Sequence, residues 1–103
     1  TEKTMRPIMA KKPFLLSGSK NFLIYLRQMG FKTFNSYWNE EYDGFEGPVR
    51  YQHILTLIDS LAKKPHSELV DMYHSMQPIL EHNYKLLESQ SYSKIINRID
   101  YHE

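Results

Sequence analysis

Few residues of this chain stand in spacings that could do chemistry, and most of those that do point to phosphate. The turn Ser17-Gly18-Ser19-Lys20 follows an apolar run and precedes a helical pattern. It would set free backbone N–H groups at a helix N-terminus, where a phosphate is held well. Upstream, Lys3 and Arg6 add two cations that can neutralise phosphate oxygens. Ser17 and Gly18, with Lys3 and Arg6, are therefore candidate substrate-binding residues. The plain reading of the same positions is a frayed terminus and an ordinary strand-to-helix turn.

No catalytic residue is expected. Five histidines stand at 53, 66, 74, 82 and 102. His74 and His82 lie about two helical turns apart, a spacing open to a distant metal pair and closer to ordinary structural histidines. With no cysteine there is no thiol nucleophile, disulfide or Cys-based metal site. GxGxxG, P-loop, GxSxG and HExxH signatures are all missing, and no metal or cofactor is called for.

Charge is unevenly ordered along the chain. Up to Phe34 the basic residues are Lys3, Arg6, Lys11, Lys12, Lys20, Arg27 and Lys32, against one acid, Glu2. Glu40, Glu41, Asp43 and Glu46 then crowd together. A basic first third beside an acidic loop suits a pocket for a phosphorylated ligand, or simply solvated helix faces. The acidic loop and the lack of a recognised motif oppose nucleic acid as a partner. Eight tyrosines, five phenylalanines and one tryptophan supply core, flat surfaces for ligand rings, or an interface.

The elements that must carry these residues read as a small α/β domain. A short helix opens the chain with Thr1 as cap, strained by Pro7 and ending near Lys11-Lys12. Pro13–Gly18 reads as a buried parallel strand. Ser19 caps a helix from Lys20 to Met29 that Gly30 closes. Phe31–Phe34 alternates apolar and polar residues as a second strand. Strand, helix and strand in so few residues make a compact βαβ unit.

Asn35–Gly47 is an acidic loop with four aromatics, expected to fold back and bury Trp38. Pro48 opens a helix with Tyr51, Ile54, Leu55, Ile58, Leu61 and Ala62 at helical spacing, ended by Lys63-Lys64-Pro65. His66 or Ser67 caps a long last helical segment, kinked before Pro78, and Tyr92–Tyr101 adds a short amphipathic helix. The expected fold is thus α/β: a small parallel sheet of two or three strands with flanking helices and a helical C-terminal part. Residues 1–103 form one domain.

The opening Thr1-Glu2-Lys3, followed by Lys12-Pro13-Phe14-Leu15-Leu16, resembles a helix and strand in the nucleotide-sugar lobe of GT-B glycosyltransferases. The likeness is strongest to fucosyltransferase-like and related phage or bacterial sugar-transferase proteins. The run from Leu26 to Phe34, then Trp38 to Asp43, then Arg50, resembles an "LR-x-x-GFKTF … W-D-E-x-YD … R" pattern of uncharacterised viral and marine microbial proteins. Asn39 stands where that pattern has Asp. The resemblance spans roughly residues 1–62. It implies that Glu2 meets the donor ribose and Lys3 its phosphates.

On this reading the chain is a fragment of a larger Rossmann-like lobe, binding a nucleotide-sugar donor and inactive alone. The alternative is a small α/β protein-interaction module without a small-molecule ligand. Two strands make a poor sheet alone, so a symmetric homodimer is expected. No apolar run is long enough to span a membrane. Thr1–Lys12 lacks the apolar stretch of a signal peptide, and the expected location is cytoplasmic.

Overall fold

The computed structural model describes residues 2–15 and 19–90. Five α-helices and one 3-10 turn follow in order: α1 (Glu2–Met9), α2 (Phe22–Gln28), the 3-10 helix Glu41–Gly44, α3 (Gly47–Ala62), α4 (His66–Ser75) and α5 (Gln77–Ser89). No strand occurs among the described residues, so the expected α/β fold with a parallel sheet is overturned: the regular elements of the described residues are all helical.

The reason lies in how the expected second strand satisfies its backbone. Phe31 and Phe34 are both buried, although a strand would set positions three apart on opposite faces. The polar groups between them, however, find side chains rather than a neighbouring strand. Asn83 of α5, only 1% exposed, takes both sides of Lys32. Its Oδ1 accepts the Lys32 N–H at 2.8 Å and its Nδ2 donates to the Lys32 carbonyl at 2.9 Å. Next to it the Phe34 N–H donates to Glu40 Oε2 at 3.1 Å. One primary amide reproduces the donor–acceptor pair that a strand would present. The expected first strand fares similarly: Pro13–Leu15 buries Phe14 but has no regular secondary structure and forms no ladder. Residues 16–18 lie outside the described residues.

Two helices end in the same hydrogen-bonded cap, in which the chain turns through one left-handed residue. After α2, Phe31 N–H donates to the Leu26 carbonyl at 3.1 Å and Gly30 N–H to Arg27 at 3.0 Å. Gly30 takes φ +98°, as its position after the helical pattern predicts. It is also tightly approached: a Cβ there would sit 3.2 Å from Leu86 Cδ2. After α1, Lys12 N–H donates to the Pro7 carbonyl and Lys11 N–H to Ile8, with Lys11 at φ 54°. Lys11 offsets this less favourable geometry through Glu81, 3.1 Å away, and the Tyr84 ring, 4.5 Å from its Nζ. These contacts lock α1 onto α5.

The start of α2 departs from expectation. The helix begins at Phe22 rather than Lys20, and neither Ser19 nor the preceding Asn21 (φ 66°) caps it with a side chain. Asp43, twenty residues further on, supplies the cap instead. Its Oδ1 accepts the Leu23 N–H at 3.1 Å, and its carbonyl accepts the Asn21 N–H at 2.7 Å.

Elsewhere the helical spacing holds. Pro48 sits in the first turn of α3, where its missing N–H costs nothing. The long last segment breaks at Met76, so that Pro78 falls in the first turn of a separate α5. α4 starts at His66, with Pro65 in the capping position. The helix expected over Tyr92–Tyr101 lies outside the described residues, as does the Thr1 cap.

The core gathers around Phe34, which is fully buried. Phe14 meets it edge-on with ring centroids 5.1 Å apart, and Trp38 stacks on it at 5.4 Å. Such aromatic pairs add about 0.5–1.5 kcal/mol each beyond area burial. Leu23, Leu26, Tyr42, Met76, Leu80 and Leu87 close the rest. The loop over residues 35–47 folds back as expected, but Tyr42 is its deepest aromatic; Trp38 is half-buried, its indole Nε1 enclosed without a hydrogen-bond partner among the described residues.

Candidate functional site

The residues of the distinctive central pattern do come together, and they bind one another. Arg27 on α2 donates through Nε to Thr33 Oγ1 at 3.0 Å and through a terminal nitrogen to Glu40 Oε1 at 2.8 Å. The other oxygen of Glu40 receives the Phe34 N–H, so both of its acceptor atoms are committed. Arg50, reaching back from α3, donates to the Tyr42 carbonyl at 2.9 Å, lies 3.9 Å from Asp43 Oδ1, and has its guanidinium carbon 5.4 Å from the centre of the Tyr42 ring. Glu40, Asp43 and Arg50 are all buried.

This geometry suits support rather than catalysis. Burying a charge is costly unless it is paired and hydrogen-bonded, and these are. Each fixes a piece of chain that has no regular partner: Glu40 the 31–34 segment, Asp43 the start of α2, Arg50 the exit of the 3-10 helix. Asn39, where the resembled pattern has Asp, is exposed and turns the chain by accepting the Glu41 N–H at 2.7 Å. Only a short polar acceptor is needed for that turn.

The candidate phosphate-binding residues are less informative. Glu2, Lys3 and Arg6 lie within α1, and the Arg6 side chain is exposed. Ser17 and Gly18 lie outside the described residues. The 2.9 Å contact of His82 Nε2 with the Gly30 carbonyl makes that nitrogen the donor, which ties His82 to the α2 cap. Among the described residues no group of three or more His, Asp or Glu side chains could hold a metal ion.

The surface not spent on the fold is apolar and lies on α3 and α4. α3 packs against the 3-10 helix and α4 against α5. Ile54 is the buried apolar residue of α3. A second stripe of the same helix, Tyr51, Leu55 and Ile58, faces outward: Tyr51 is 64% exposed and Ile58 47%. No residue of α4 is fully buried, and its Val70 and Tyr73 are exposed as well. Where the two helices approach Pro13–Leu15, a groove of about 350 Å³ opens between Leu61, Leu69, Met72, Tyr73, Trp38 and Phe14. Tyr37 reaches toward its edge, its hydroxyl 2.9 Å from Ser75 Oγ.

This surface was half legible. The sequence shows Tyr51, Ile54, Leu55, Ile58, Leu61 and Ala62 as one stripe, whereas the structure buries Ile54 and exposes Tyr51, Leu55 and Ile58. Two apolar stripes on one helix signal two packing faces, and the pattern Tyr51, Leu55, Ile58 beside Ile54, Leu57, Leu61 carries that signal.

Comparison with protein-family models, with curated proteins and with solved structures finds no match.

Proposed function

We propose that this chain is a non-catalytic helical docking module whose α3–α4 face receives another polypeptide. One observation carries the reading: Tyr51, Leu55 and Ile58 form an outward apolar stripe at i, i+4 and i+7, and Val70 and Tyr73 are exposed on the following helix α4. Large apolar side chains exposed in a row mark an interaction surface, whereas isolated ones do not. The polar residues best suited to chemistry support it indirectly, since Arg27, Glu40, Asp43 and Arg50 are engaged in holding the fold. Helix faces of this kind take a partner helix through anchors at matching spacing.

The test is site-specific photocrosslinking in the native cell. A photoreactive residue at position 58 should give discrete protein adducts, and the same residue at position 88, exposed on α5, should not. Equal labelling at both positions would overturn the reading.

A second reading keeps the resemblance to nucleotide-sugar transferases, with this chain as part of a longer donor-binding protein. It is favoured by the placement of Lys3 and Arg6 one turn apart in α1, neighbouring positions on a helix surface. Saturation-transfer NMR with GDP-, UDP- and dTDP-sugars tests it. Lys3→Ala should weaken nucleotide binding more than Lys63→Ala, because Lys63 is a surface lysine already paired with Asp59 at 2.9 Å. Equal losses would reduce the effect to general charge attraction.

A further inference from the structure

The charge around the apolar stripe narrows what can sit on it. From the 3-10 helix to the end of α4 the exposed carboxylates are Glu41, Glu46, Asp59, Glu68 and Asp71. Two exposed or half-exposed lysines oppose them, and each is already taken: Lys63 by Asp59 at 2.9 Å, Lys64 by Glu68 at 3.2 Å. The two buried charges of this stretch, Asp43 and Arg50, face each other. Glu41, Glu46 and Asp71 therefore remain uncompensated in this stretch, with Glu46 immediately before α3 and Asp71 next to exposed Val70 in sequence.

The remaining described stretches have the opposite balance. Lys12, Lys20, Lys32 and Lys85 are all exposed there against exposed Glu88, while Glu81 is paired with Lys11 and Glu40 with Arg27. The apolar stripe thus belongs to the acidic stretch of the chain.

Accepting the chain as a docking module, we infer that the occupant of the α3–α4 face is a basic amphipathic helix: apolar anchors on Tyr51, Leu55 and Ile58, with lysines or arginines toward Glu46 and Asp71. Complementary charge at the edge of an apolar contact speeds encounter and rejects like-charged partners. The same charge disfavours a second copy of this chain, because a two-fold pairing of α3 with α3 would bring together two stretches of net negative charge.

Fluorescence anisotropy tests this with a labelled helical peptide of leucine, lysine and alanine, leucine at i, i+3, i+4 and i+7. A control replaces every lysine with glutamate. The full chain should bind the lysine peptide at least about tenfold more tightly than the glutamate peptide, a gap that closes as salt is raised. Leu55→Asn with Ile58→Asn should weaken lysine-peptide binding about tenfold, with helical circular dichroism unchanged. Glu46→Lys with Asp71→Lys should shift preference toward the glutamate peptide. Equal binding of both peptides, still lost in the Leu55/Ile58 variant, would overturn the basic partner while leaving the docking face standing. Binding unaffected by that variant, or no binding at all, would overturn both. Concentration-dependent dimers abolished by the same variant would make the occupant a second copy and sink the inference.

Discussion

The stretch from Arg27 to Arg50 and the helix pair α3–α4 treat the same raw materials in opposite ways. In the first, charges go in: Glu40, Asp43 and Arg50 are buried, each held by backbone as well as by side chain. In the second, apolar groups go out: Tyr51, Leu55, Ile58, Val70 and Tyr73 are exposed. The first arrangement is costly to assemble and useful because it fastens irregular chain. The second is costly to leave uncovered and useful because something can cover it. A distinctive run of charged and aromatic residues therefore marks the frame of this molecule, and an unremarkable helical pattern marks the surface proposed to dock a partner.

The sharpest break in that contrast would come from Asp43→Ala. It removes the cap of α2 and the carboxylate beside Arg50 in one step. Taking one partner from a buried charge pair costs about 3–5 kcal/mol, a large share of what a domain this small can hold. The variant should lose its near-ultraviolet circular dichroism at ambient temperature. Asp43→Asn, which keeps the capping oxygen, should fall between it and the parent. An Asp43→Ala protein that melts with the parent would mean that the buried charges are ornamental and that the contrast fails.

Asn83→Leu comes next. The volume is kept, but the Lys32 N–H and carbonyl both lose their partner. Leaving backbone groups unsatisfied costs about 1–3 kcal/mol apiece, less where water reaches them. A loss of about 2–3 kcal/mol in urea denaturation is expected, together with faster hydrogen exchange at the Lys32 amide. Gly30→Ala should cost less, about 1–2 kcal/mol. It strains the left-handed cap and presses a methyl group against Leu86. A neutral Gly30→Ala would show that the turn relaxes without disturbing α5.

How far the fold could be read in advance follows from where each hydrogen bond goes. α3, α5 and the break before Pro78 were legible because helices satisfy their backbone locally, and apolar spacing with a proline marks their ends. Gly30 was legible for the same reason. The sheet was a misreading with a definite cause. Phe31-Lys32-Thr33-Phe34 reads as a strand because apolar and polar residues mix over four positions, but Phe31, Thr33 and Phe34 are all buried and Lys32 alone is exposed, which is not a period of two. Whether a strand or an amide satisfies Lys32 is decided by Asn83, fifty-one residues later. Asp43 capping α2 is a similar long-range choice. At the surface, the apolar residues of α3 were seen, but their division into inward and outward stripes depends on what lies beside the helix. Of the substrate-binding set, Ser17 and Gly18 rested on a strand-to-helix turn that lies outside the described residues, and Glu2, Lys3 and Arg6 on the resemblance and on charge.

The smallest expected effect bears most on function. If α3–α4 is a docking face, its apolar residues add little to the free chain, and their loss should scarcely be felt there. Leu55 and Ile58 are 41% and 47% exposed, so the water-exposed part of each side chain contributes nothing to folding. Asparagine has a slightly lower helix propensity than either, worth a few tenths of a kcal/mol per site. Leu55→Asn and Ile58→Asn should therefore each change stability by no more than about 0.5 kcal/mol. Ile54→Ala, one position from Leu55 but buried, should cost about 2–4 kcal/mol. Urea denaturation of the three variants measures the difference directly. The two asparagine variants should also bind less of a dye that reports exposed apolar surface, while the alanine variant should bind more as its core loosens. If Ile58→Asn proved as destabilising as Ile54→Ala, the outward stripe would be part of the core, and the case for a partner on this face would fall with it.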